Sequence, residues 1–158
     1  MYTKQALHEI GVSTSAITAR QKEQLDHDGY FIVENVLSKP GIERMRSEFE
    51  RIHAAENARG GHEVHVEPGA RRVSNIFNKT DAFDACLWIP EVLAASAYAL
   101  GEIKVHGANL RDPVQGYGQQ DMHVDVPKRF KDDWWVVNSM IMFDDMTKDN
   151  GPTRVVPG

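Results

Sequence analysis

The sequence predicts an α+β fold, with helices first and antiparallel strands after them. Three observations carry this. Ile42, Met45, Phe49 and Ile52 recur at helical spacing, so one helix lays a single face on a core. "PEVLAASAYAL", residues 90–100, starts on Pro90 and stops before Gly101, the asymmetry expected of a helix. From residue 102 the texture changes to short, β-branched segments separated by turn residues. That order predicts a sandwich or barrel beginning near residue 102.

The elements follow in chain order. The 158 residues suit one domain with one core. Residues 1–17 have little periodicity and read as an arm. Residues 18–101 read as mainly helical, and residues 102–158 as the first strands of the barrel. Thr18 and Gln21 have capping-box spacing and open a helix over "ARQKEQLDHD", which Gly29 ends. "YFIVENV", residues 30–36, is apolar and β-branched enough for a strand. Ser38 caps the next helix, with Pro40 tolerated in its first turn. "ARGGHEVHVEPGA", residues 58–70, is a polar, Gly-rich break. Helical pattern resumes in "DAFDACLW". "EIKVHGANLRD", "QQDMHVDVP", "WWVVNSMIMF" and "PTRVVP" then read as extended segments. An antiparallel sandwich closes with roughly eight strands, and about four or five are found here. The expectation is the N-terminal part of a longer protein.

Composition narrows the function. The chain is 41% hydrophobic and 26% charged, ordinary for a globular protein. A net charge of −5 gives no basic footprint, so nucleic acid is not an expected partner. No apolar run approaches the ~20 residues of a membrane span, and no membrane partner is expected. "MYTKQALHEIGVSTS" lacks the apolar stretch of a secretory leader. The single cysteine, Cys86, excludes an internal disulfide framework and reads as a packed thiol. A cytoplasmic setting is expected.

The chemistry concentrates in "QQDMHVDVPK", residues 119–128. Strand side chains alternate faces, so His123 and Asp125 would project to the same side, with Val124 opposite. A neutral imidazole and a carboxylate suit Fe(II), and a second histidine would complete a facial triad with open positions. His-x-Asp alone is weak evidence; its surroundings strengthen it. Pro113, Gly116 and Gly118 make an irregular loop before it, and Pro127 follows.

Three stretches, in order, carry a more specific signal: "LDHDGYFIVENVLS", "NLRDPVQGYGQQDMHVD" and "NSMIMFDDMTKDNGPTRVVPG". Together they resemble the phytanoyl-CoA dioxygenase family from Leu25 onward. The resemblance implies a cupin-like jelly roll, or double-stranded β-helix, incomplete in this chain. It implies an Fe(II)- and 2-oxoglutarate-dependent dioxygenase that hydroxylates an unactivated C–H bond of a small organic substrate. Dioxygen is consumed, with succinate and CO2 as coproducts. His123 and Asp125 are the two iron ligands it implies. The third ligand, a histidine, and the arginine that binds 2-oxoglutarate would lie beyond Gly158. Asp125 also favours hydroxylation over halogenation, because related halogenases have a small residue at that position.

By the same resemblance, Asn138 and Met140 share a face that approaches 2-oxoglutarate. Asn138 could equally satisfy sheet backbone. His106 and Gln120 become substrate-binding candidates, with a structural, hydrogen-bonded histidine the plainer reading of His106. Gln119 flanks the site as well. His62 and His65, with Glu63 and Glu67, suggest either a second metal site or a solvated loop, and their Gly-rich setting favours the loop. Arg71 and Arg72 read as a charged surface pair or an acidic-substrate contact. Trp134 and Trp135 are expected to divide between core and pocket rim. Asn150-Gly151 is expected to supply the positive-φ positions of a turn. The competing reading is a non-catalytic, cupin-like binding module, or an inactive fragment.

Overall fold

The structure is a computed structural model that describes residues 3–126 and 134–158. The chain divides into two compact units. The first comprises Met1–Val36, Trp88–Lys104 and His123–Gly158. The second comprises Leu37–Leu87 and Val105–Met122.

In the first unit, α1 (Thr3–Glu9) and a 3₁₀ turn at Thr14–Ala16 occupy the segment expected as an arm. The backbone N–H of Thr3 donates to Glu102 Oε2 at 2.9 Å, and Ile103 N–H donates to Thr3 Oγ1 at 2.9 Å. These contacts are about a hundred residues apart in the chain, so no local periodicity announces them. α2 (Ala19–Asp28) begins with the expected capping box: Gln21 N–H donates to Thr18 Oγ1, and Thr18 N–H to Gln21 Oε1. Such a cap contributes about 1 kcal/mol. Gly29 closes the helix with φ +79°. α4 (Pro90–Leu100) begins at Pro90 and is followed by Gly101, as the sequence predicts. Its Ala94 and Ala95 pack with Ile17, and Val12, Ala16, Leu25 and Phe31 surround them. Alanine is the reason this works: a methyl lets the turn at 14–16 approach the helix closely, while Ile17 fills the remaining space.

In the second unit, α3 (Lys39–Glu56) is capped by Ser38, whose Oγ accepts from Gly41 N–H at 3.2 Å. It buries Met45, Phe49 and Ile52, three of the four residues expected on its core face. α3 packs on a two-stranded antiparallel ribbon of β1 (Ala70–Val73) and β2 (Leu110–Pro113). Val73 and Phe83 are fully buried in this unit, and Ile76 and Ala82 nearly so. "DAFDACLW" is a 3₁₀ segment, Asp81–Trp88, rather than an α-helix.

The helices and the mixed α/β character agree with expectation, but the barrel does not form among the described residues. Among the described residues, the stretches 30–36, 119–126, 134–143 and 152–157 are not part of a regular strand. "YFIVENV" still alternates at its start, with Phe31 and Val33 partly buried and Ile32 76% exposed. A strand becomes regular only when another backbone accepts its hydrogen bonds, and pattern alone does not name that partner. Pro127 lies outside the described residues.

β1 falls where the sequence suggests a surface pair of arginines. Instead, Arg71 and Arg72 are ribbon residues held by acids. Arg71 donates through Nε to Asp112, its cross-strand partner, at 2.7 Å, and through Nη1 to Glu50 Oε2 at 2.8 Å. Its guanidinium also lies 5.0 Å from the Phe49 ring centre. Arg72 stands opposite Arg111. Glu67 lies between those two guanidinium groups: Arg72 Nη1 donates to Oε2 at 2.8 Å, and Arg111 Nε to Oε1 at 2.9 Å. The Glu67 side chain is only 8% exposed. Hydrogen bonds from Arg111 and then Arg72 pull its carboxyl down to about 2, against the opposing effect of burial.

This generates a prediction. A carboxyl depressed in the folded state lends stability that is complete above its unfolded value and disappears as pH falls through its folded value. The Glu67 contribution is therefore lost between about pH 4.5 and about pH 2. Glu67→Gln keeps the shape but leaves two arginines facing each other, at an expected cost of about 3 kcal/mol. Urea denaturation at pH 7 and at pH 3 checks it: the difference between variant and parent shrinks at the lower pH.

Candidate metal centre

The loop between β2 and His123 is shaped by a contact between two glycines. Gly69 and Gly118 both have positive φ, +77° and +69°. A Cβ on Gly118 would lie 2.8 Å from the Gly69 carbonyl oxygen and 3.1 Å from Pro113 Cβ. Arg111 Nη2 donates to the Gly118 carbonyl as well as to Glu67. Val114 N–H donates to the Gly69 carbonyl at 2.9 Å, and Tyr117 N–H to the Val114 carbonyl at 2.8 Å. The loop thus has a defined course up to Gly118, five residues before His123.

His123 and Asp125 then meet side by side, with Nε2 and Oδ1 3.4 Å apart. Both side chains are more than half exposed. Two ligands on adjacent corners of an octahedron, with bonds of ~2.1 Å, sit ~3.0 Å apart. The observed separation is close to that. A neutral nitrogen donor and an anionic oxygen donor form a set that fits Fe(II). Asn138 completes the local geometry: its Nδ2 donates to the other carboxylate oxygen, Oδ2 of Asp125. Among the described residues, no group of three or more His, Cys, Asp or Glu side chains is placed to hold a metal.

The other candidates are distributed differently. Met140 belongs to the first unit and is 62% exposed. His106 and Gln120 are exposed residues of the second unit. His62 and His65 sit in a turn, where His62 Nδ1 lies 3.1 Å from the Arg59 carbonyl and His65 N–H donates to Gly61 at 2.8 Å. Their neighbours are committed elsewhere: Glu63 pairs with Lys79 at 2.9 Å, and Glu67 with the two arginines. Lys79 also pairs with Glu56. Trp134 and Trp135 are both exposed, at 58% and 49%, rather than divided between core and rim. Cys86 is half-buried, and that burial pushes its thiol up from the ordinary value.

The turn before the last segment departs from expectation in its chemistry. Gly151 has φ +73°, but Asn150 does not share the left-handed conformation. Its side chain builds the turn instead: Oδ1 accepts from Thr147 N–H at 2.9 Å, and Nδ2 donates to the Asp145 carbonyl at 2.7 Å. The bond from Asn138 to Asp125 is the feature of the site that sequence reasoning missed. Alternation put Asn138 on a face with Met140, but pairing across thirteen residues needs the fold.

A family model described as phytanoyl-CoA dioxygenase (PhyH) matches residues 25–158. No curated protein and no solved structure matches the chain.

The glycine contact makes a prediction. Gly118→Ala combines a strained left-handed alanine with a clash against backbone, and is expected to cost about 2 kcal/mol or more. Gly69→Ala should cost a similar amount. The double variant should cost less than the sum, because both changes open the same contact. Thermal melts of the three variants measure this.

Proposed function

The chain belongs to the phytanoyl-CoA dioxygenase family, one of Fe(II)- and 2-oxoglutarate-dependent oxygenases, and from that premise we propose that it hydroxylates an unactivated C–H bond of a small organic substrate. The observation that carries the reading is the meeting of His123 Nε2 and Asp125 Oδ1 at 3.4 Å, inside the matched region.

His123 and Asp125 are two protein ligands to Fe(II) in this reading. The family resemblance implies a histidine as the third. Bound Fe(II) supplies the oxidative chemistry, in which dioxygen and 2-oxoglutarate are consumed and succinate and CO2 leave. The chain's own residues do the rest. His123 must present a neutral ring nitrogen, and the charge of Asp125 offsets part of the metal's. The family resemblance offers Met140 as a residue toward 2-oxoglutarate, and offers Asn138 either that role or one in holding Asp125. No acyl-CoA site is proposed, since no feature of the chain reads as one.

Anaerobic titration of the intact protein with Fe(II) and 2-oxoglutarate tests this. A weak visible charge-transfer band is expected, and it should be lost in His123→Ala and in Asp125→Ala. An intact, folded protein with no band would sink the oxygenase reading and leave the non-catalytic binding module. Aerobic turnover should release succinate in step with 2-oxoglutarate consumed, and each variant should lower that rate at least a hundredfold.

A further inference from the structure

We infer that Asn138 is a positioning residue, whose side-chain amide holds the Asp125 carboxylate by Oδ2 so that Oδ1 is the oxygen presented beside His123. The inference rests on the proposed metal centre and assigns Asn138 a role distinct from contact with 2-oxoglutarate. Asn138 Nδ2 donates to Asp125 Oδ2, while Asp125 Oδ1 is the atom 3.4 Å from His123 Nε2. The two oxygens of one carboxylate are therefore assigned different partners. All three residues belong to the first unit.

Such a device has a physical purpose here. The Asp125 side chain is 58% exposed, so burial does not fix its rotamer. An unrestrained carboxylate offers a metal either oxygen, or both. Binding through both would consume a position that co-substrates need. A donor on Oδ2 favours one-oxygen ligation. An ionised carboxylate only accepts, so the amide must turn its nitrogen toward it, and only a residue with a donor can serve. The second amide hydrogen and the carbonyl oxygen of Asn138 are not used in this bond.

Co(II) titration of the intact protein, followed by its visible d–d bands, separates the alternatives. Asn138→Ala should weaken Co(II) binding about tenfold, by a similar factor with and without 2-oxoglutarate. Asn138→Gln, which keeps an amide donor, should recover part of the loss. A variant that leaves Co(II) affinity unchanged, and weakens only 2-oxoglutarate, would overturn the positioning role and make Asn138 a cosubstrate contact. The parallel His123→Ala titration judges the site itself. If Co(II) affinity ignores His123, the metal centre and this inference fall together. If it depends on His123 but not on Asn138, only this inference falls. A metal-free readout stands beside these: the Asn138 side-chain amide resonances should shift in Asp125→Ala, and indifference there would also overturn the assignment. Circular dichroism checks that each variant is folded.

Discussion

Arg72 and Arg111 stand directly opposite each other across the β1–β2 ribbon, an arrangement that repels unless an anion lies between them. Glu67 is that anion, 8% exposed and bonded to both. The consequences run outward through the second unit. With the charges balanced, the strands can pair in a register that sets Arg71 against Asp112. Arg111, held by Glu67, reaches the Gly118 carbonyl and so shapes the loop that precedes His123. A ribbon this short has too little apolar area to hold itself together. Its order comes from this charge network and from α3, which packs against β1.

The proposed metal centre is built on the opposite principle. His123, Asp125 and Asn138 are exposed and, among the described residues, lie outside the regular strands. Their geometry depends on mutual bonding rather than burial. In water such contacts are individually weak, so a bound cation would contribute more order to this site than the apo chain supplies. A metal that binds only the folded arrangement would then also stabilise it by mass action.

The helical half was legible because its signals are local. Thr18 with Gln21, Gly29, Ser38 with Pro40, and Pro90 with Gly101 each act within about one turn of the chain, where propensity and capping decide. The core face of α3 was legible for the same reason: period 3.6 requires only one helix. The ribbon was not. "ARRV" has one apolar β-branched residue and two charges. It becomes a strand through Asp112, Glu50 and Glu67, partners 41, 21 and 5 residues away that lie outside its own pattern. Of the extended segments expected after residue 102, "EIKVHGANLRD" does end in a strand, β2; for the others, β-branched texture supplies no hydrogen-bond partner.

What the sequence determined by itself was therefore the starts of α2, α3 and α4, the family, and the donor types His and Asp at a spacing suited to one metal. These need only near neighbours or an ordered set of motifs. What tertiary structure decided was which backbones pair, which acid neutralises which arginine, and which oxygen of Asp125 faces His123. Those choices depend on groups brought together across long stretches of chain, where a carboxylate or an amide in the sequence has many possible partners and the fold selects one.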